Sequence, residues 1–119
     1  NLNIDDYSIY SQVQLCLKGD CINKGNYWIP DFMLVAERTG PSGKYLETII
    51  VDAKLSGSTG WTKNQGIAND KNIWSVKTTI SADKLIKGAP VDGFYKNASV
   101  NKNGKFIKLF SENGSITTK

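Results

Sequence analysis

The stretch Thr48-Ile49-Ile50-Val51-Asp52-Ala53-Lys54-Leu55-Ser56 decides how this chain is read. Ile49 to Val51 is a short, β-branched apolar run, and such runs read as strands, often central ones. Side chains alternate faces along a strand. Asp52 and Lys54 therefore project from one face, side by side, at the end of an apolar element. Such a pair is either a surface ion pair or a cation ligand next to its catalytic partner. The flanking sequence decides between the two.

Upstream, Tyr27 to Ala36 is aromatic and apolar, interrupted by Pro30. Proline cannot donate to a sheet ladder, so Pro30 marks the start of a strand running from Phe32 to Glu37. Arg38 to Lys44 holds Gly40, Pro41 and Gly43 and reads as a turn. Tyr45 to Lys54 is then the antiparallel partner. Asp31 begins the first strand of this hairpin and Asp52 ends the second, so both lie at one sheet edge. Glu47 faces away from Asp52 by parity and is left out as a ligand. Downstream, Leu55 to Trp61 is a small-residue loop. Thr62-Lys63-Asn64-Gln65 has capping-box spacing and opens a helix from about Thr62 to Asn72.

The rest of the chain reads as alternating short elements. Ile9 to Leu17 is a first strand, Lys18-Gly19-Asp20 a turn, and Cys21-Ile22 the start of a return strand. Ile73 to Ile80 is a strand. Ser81 to Gly88 has a Ser N-cap and a Gly stop and reads as a short helix. Gly93 to Val100 and Lys105 to Phe110 are strands joined as a hairpin through Asn103-Gly104. The tail from Ser111 is polar and loose. Trp28 and Trp61 read first as packing residues and second as base-stacking platforms. Lys102, Lys105 and Lys108 read first as a solubilising edge, with contact to a nucleic-acid backbone as the second reading.

With 119 residues the chain has the length of one domain, 1–119. Its start, Asn1-Leu2-Asn3, lacks a Met and is expected to belong to a longer protein. No apolar run approaches the ~20 residues of a membrane helix. The net charge of +4, from 14 Lys and one Arg against 11 acids, is compatible with a polyanionic partner. The chain contains no His, which excludes Ser-His-Asp and Cys-His nucleophile systems and His-based metal hydrolases. Two cysteines, Cys16 and Cys21, are too few for a four-thiolate zinc site. They read equally as a disulfide across a hairpin or as two free thiols.

Pro30-Asp31, then Asp52-Ala53-Lys54, then Gln65 at a helix start resemble the motif of the PD-(D/E)xK nuclease superfamily. The match covers roughly residues 28–66. Ser56, Thr62 and Gln65 after the Lys look most like the toxin domains at the C-terminus of bacterial polymorphic toxins, of the contact-dependent inhibition or type VI effector kind. The resemblance implies an α/β, restriction-endonuclease-like fold, a central mixed β-sheet with flanking helices. It implies a metal-dependent endonuclease acting on DNA or tRNA in interbacterial competition. Asp31 and Asp52 would bind a divalent metal ion, Mg²⁺ first and Mn²⁺ or Zn²⁺ as substitutes. Lys54 would be the catalytic base or phosphate contact, with Gln65 supporting it and Ser56, Thr62 and Lys63 touching substrate. A cognate immunity protein would neutralise the domain, which would be secreted and delivered into the cytoplasm of a target bacterium. The superfamily usually adds an acid, most often a Glu, on a helix before the hairpin. No Glu precedes Glu37 here, and Asp5 or Asp6 is the substitute within the chain. Two other readings compete: a metal-independent tRNase toxin, and a non-catalytic binding module of a secreted protein.

Two carboxylates a few ångströms apart suit a hard cation such as Mg²⁺. Such a cation neutralises charge developing on a phosphate and acidifies a bound water. Lys54 would add a point charge at the phosphate. A helix end at Gln65 would itself favour an anion.

Overall fold

A computed structural model of the chain describes residues 4–17, 27–77 and 82–119. It is organised around one long hairpin, β4 (Phe32–Gly40) and β5 (Gly43–Ala53). The pairing runs from Gly40↔Gly43 to Phe32↔Val51 without interruption. The expected turn over Arg38 to Lys44 is thus only Pro41-Ser42, and both strands are longer than the sequence suggested. Met33 and Val35 on β4, with Leu46 and Ile50 on β5, point into the main core. Leu34, Ala36 and Ile49 point into a smaller cluster on the other face. Burial on both faces is why Ile49-Ile50-Val51 is continuously apolar rather than alternating.

The remaining elements pack around that hairpin. They are β1 (Ser8–Ser11), β2 (Leu15–Cys16), β3 (Tyr27–Trp28), α1 (Lys63–Asn69), β6 (Ile73–Val76), β7 (Leu85–Lys87), β8 (Ser99–Lys102), β9 (Ile107–Glu112) and β10 (Ser115–Thr118). Together they make one ten-stranded sheet in the order β3-β2-β6-β8-β5-β4-β1-β7, with β9 also pairing along β5 and β10 pairing with β9. β4 lies antiparallel to β5, whereas β8 and β9 lie parallel to it, so the sheet is mixed.

The expected flanking helices are absent. Strand makes up 48% and helix 12% of the structure, with one α-helix among the described residues and a sheet that curls on itself. The α/β, restriction-endonuclease-like reading is therefore corrected to a mostly β fold. The curled sheet buries its own apolar residues. Trp28 and Phe106 stack at 5.0 Å, with Trp74 beside both, all inside the main core.

Four local expectations also change. The strand over Ile9 to Leu17 breaks at Gln12, which has φ 57, and the two pieces pair with different partners. The alternation slips by one residue at the break, with Ser8 and Tyr10 buried before it and Val13, Leu15 and Leu17 after it, so that Tyr10, Val13, Leu15 and Leu17 all enter the same core. The helix expected over Ser81 to Gly88 is a 3₁₀ turn, Ala82–Lys84, running into β7. Asn103-Gly104 is not a hairpin. Asn103 N donates to Thr48 O at 2.8 Å, and the chain continues along β5 from β8 into β9. The tail is ordered instead. Glu112↔Ser115 closes a two-residue turn at Asn113-Gly114, whose φ values of 53 and 80 suit Asn-Gly.

The turn and return strand expected over Lys18 to Ile22 lie outside the described residues. Cys16 is disulfide-bonded, and the chain's other cysteine, Cys21, is among those undescribed residues. No helix among the described residues is long and apolar enough to cross a membrane.

Candidate functional site

Antiparallel register puts Asp31 opposite Asp52, one step beyond Phe32↔Val51. Both side chains continue the rows that feed the main core, Met33 and Val35 behind Asp31, and Leu46, Thr48 and Ile50 behind Asp52. The pair therefore sits at the rim of that core, not on the outer sheet surface. The two residues lock each other. Asp31 N donates to Asp52 Oδ1 at 2.7 Å, and Ala53 N donates to Asp31 Oδ2 at 2.8 Å. Each carboxylate spends one oxygen on a backbone amide and keeps the other, Asp31 Oδ1 and Asp52 Oδ2, for a further partner.

Asp52 is 1% exposed. Burial raises its pKa above the ordinary carboxylate value, and the neighbouring Asp31 charge pushes the same way. The Asp31 amide and the Lys54 charge pull it back only in part. A buried carboxylate beside a second one favours a nearby cation.

The cation already there is Lys54. Its Nζ donates to Gln65 Oε1 at 2.7 Å. Gln65 Nε2 reaches Asp52 Oδ2 at 3.4 Å, so Gln65 spans the lysine and the carboxylate. Gln65 holds this position because of the capping box. Thr62 Oγ1 accepts from Gln65 N, and Gln65 Oε1 accepts from Thr62 N at 3.0 Å. Ala68 of the same helix enters the main core and fixes the helix against the sheet. The expected helix is shorter than Thr62 to Asn72, spanning only Lys63–Asn69, and the cap engages the Thr62 and Gln65 amides. The helix thus supports Gln65.

The other expected substrate contacts divide. Thr62 is committed to the cap. Ser56 closes its own loop, with its hydroxyl 3.0 Å from Ser58 Oγ and 3.2 Å from Thr59 Oγ1. Lys63 is exposed at the helix start. Asp5 and Asp6 do not supply a third acid. The register Ser8↔Val35 carries them toward the far end of β4, more than about 13 Å along the strand from Asp31. Asp5 there lies 3.9 Å from Lys87. Glu47, excluded by parity, accepts from Tyr7 and Arg38 at that far end. No group of three or more His, Cys, Asp or Glu gathers among the described residues.

Two residues read first as packing and as a solubilising edge also stand at the site. Trp61 lies with its ring centroid 5.1 Å from Lys54 Nζ and packs edge-on to Phe106. Lys108 Nζ is 5.2 Å from the same ring and donates to Gly57 O at 3.3 Å. Lys108 pairs in register with Asp52 across the parallel strands β5 and β9. An aromatic directly following the Ser/Gly loop was the signal for Trp61. Nothing local signals Lys108, since the pairing that brings it in is parallel and distant in sequence. Of its two expected edge companions, Lys105 is exposed, while Lys102 is half-buried and donates to Asn69 O. No family model, no curated protein and no solved structure matches the chain.

Proposed function

We propose that this chain is a nuclease domain that hydrolyses phosphodiester bonds, with Asp31 and Asp52 holding a divalent cation and Lys54 contacting the scissile phosphate. The observation that carries the reading is the cross-strand Asp31/Asp52 pair, locked by reciprocal amide bonds and joined through Gln65 to Lys54. The local Asp31…Asp52-Ala53-Lys54 pattern carries it; the surrounding fold does not.

The residues fit a hard cation. Asp31 Oδ1 and Asp52 Oδ2 are two carboxylate oxygens on one face, and Mg²⁺ commonly takes one or two carboxylates with waters and substrate phosphate. A chain without His favours Mg²⁺ or Mn²⁺ over Zn²⁺. When bound, the cation would neutralise charge on the phosphate and acidify the attacking water. The protein's own part is positioning and charge. The two aspartates are fixed by amides that need not move during the reaction. The Lys54 ammonium donates to a non-bridging phosphate oxygen, whose charge grows in the transition state. Gln65 aims that ammonium and is a positioning residue.

The wider setting follows the same reading: a toxin domain of interbacterial competition, delivered into a target cytoplasm and held in check by an immunity protein. The Cys16 disulfide suits a protein that passes through an oxidising compartment.

Inducible expression in a bacterium, with and without Lys54→Ala, tests this function. Growth arrest with degraded genomic DNA or tRNA is expected only for the unaltered chain. Intact DNA and tRNA with normal growth would remove the nuclease reading. Degradation that persists in the purified domain after EDTA would favour cleavage without a metal.

A further inference from the structure

We propose that Lys108 is a second phosphate contact of this site, gripping a backbone phosphate next to the scissile one, with Trp61 shared between it and Lys54. The inference rests on reading Asp31 and Asp52 as the hydrolytic centre.

Three observations carry it. First, Lys108 pairs with Asp52 across β5 and β9, and paired residues of adjacent strands stand about 4.8 Å apart on a common face. Asp31, Asp52 and Lys108 thus form one row across β4, β5 and β9. Second, the Lys108 ammonium does not pair with Asp52. It turns to the Gly57 carbonyl and the Trp61 ring, where Lys54 is the other cation. Third, Arg38–Glu47, Lys44–Glu37 and Lys87–Asp5 form ion pairs among the described residues. Neither Lys54 nor Lys108 enters an ion pair among the described residues. Two ammonium groups stand about one indole beside the carboxylate pair, and together they offer positive charge to an anionic ligand there. A polyanion with regularly spaced phosphates satisfies both lysines at once.

The loop that places Trp61 is built for this spacing. A Cβ on Gly57 would lie 2.7 Å from Phe110 Cζ, so only glycine lets the loop approach β9. Lys54 N donates to Leu109 O at 2.8 Å and ties the start of the loop to the same strand. The alternative role for Lys108 is holding this loop through Gly57 O.

Binding under non-cleaving conditions separates the two. Labelled single-stranded DNA and RNA oligonucleotides of one sequence are titrated with the domain in Ca²⁺ by fluorescence anisotropy across a salt series. Lys108→Gln keeps a donor for Gly57 O and loses the charge; Lys108→Met keeps only the stem; Lys108→Arg keeps the charge. Both uncharged variants are expected to bind about tenfold more weakly at low salt, with the salt slope reduced by about one. Lys108→Arg and the remote Lys44→Gln are expected to bind as the unaltered chain does. Whichever oligonucleotide shows the loss identifies the backbone recognised. Wild-type affinity and slope in Lys108→Gln would overturn the proposal, as would an unaltered domain that binds neither oligonucleotide. Weakened binding without any cleavage by the unaltered domain would remove the hydrolytic reading while leaving the phosphate contact in place.

Discussion

At the scale of single residues, Asp52 sets the pH behaviour of the site. Its folded pKa lies above its unfolded value, because burial and Asp31 disfavour its charge. Between those values the folded chain binds the extra proton, so stability falls as pH rises through that window, which begins near pH 4. Asp52→Asn removes the burden and keeps an acceptor for the Asp31 amide. It is expected to lower cleavage about a thousandfold while melting at or above the temperature of the unaltered chain at neutral pH. Below about pH 4 the two should melt alike, and thermal melts across pH check both. The same raised pKa makes protons compete with the cation, so activity should fall off on the acid side at a higher pH than for an ordinary carboxylate. Gln65→Glu keeps an acceptor for Lys54 but sets a negative charge beside Asp52 Oδ2. It is expected to shift that acid limb to still higher pH, which a pH–rate profile reads and a purely structural role would not produce. Asp31, Asp52, Lys54 and Gln65 were legible because each depends only on a local rule: strand parity, hairpin ends and capping-box spacing. Lys108 was not, since no local rule brings β9 alongside β5.

At the scale of elements, the loop after Lys54 is the part most sensitive to a small change. Gly57→Ala is expected to displace the loop from Phe110, lower stability by about 1–2 kcal/mol and reduce nucleic-acid affinity, measured by denaturant unfolding and by anisotropy. Hairpin β4/β5 and the cap of α1 were legible for the same local reason as the residues they carry. The two Asn-Gly pairs show the limit. Asn113-Gly114 makes the hairpin and Asn103-Gly104 does not, although their turn chemistry is alike. The difference lies in what each flanking segment pairs with. β9 and β10 pair with each other, whereas β8 and β9 both pair with β5, and that choice is made by tertiary packing. The segment before Gly88 carried helix-capping residues but became β7 because the edge of β1 was open to it.

At the scale of the whole molecule, a curled mixed sheet with little helix does the burying that flanking helices were expected to do. The strand count gave little warning, since several strands are short and pair across long sequence separations. One cost is visible in the centre of the sheet. Thr48 Oγ1 is buried without a hydrogen-bond partner among the described residues, in the row between Leu46 and Ile50. Thr48→Val fills nearly the same volume without the hydroxyl and is expected to raise stability by about 1 kcal/mol, read as a melting temperature several degrees higher. The central claim is that this sheet presents a cation-dependent phosphodiester-cleaving centre at the Asp31/Asp52 edge. Incubating the purified domain with supercoiled plasmid and with tRNA, in Mg²⁺ and after EDTA, tests it most directly. Cleavage of one substrate in Mg²⁺, abolished by EDTA and by Asp52→Asn, is the result expected. No cleavage of either substrate in Mg²⁺ or Mn²⁺, or equal cleavage by Asp52→Asn, would contradict it.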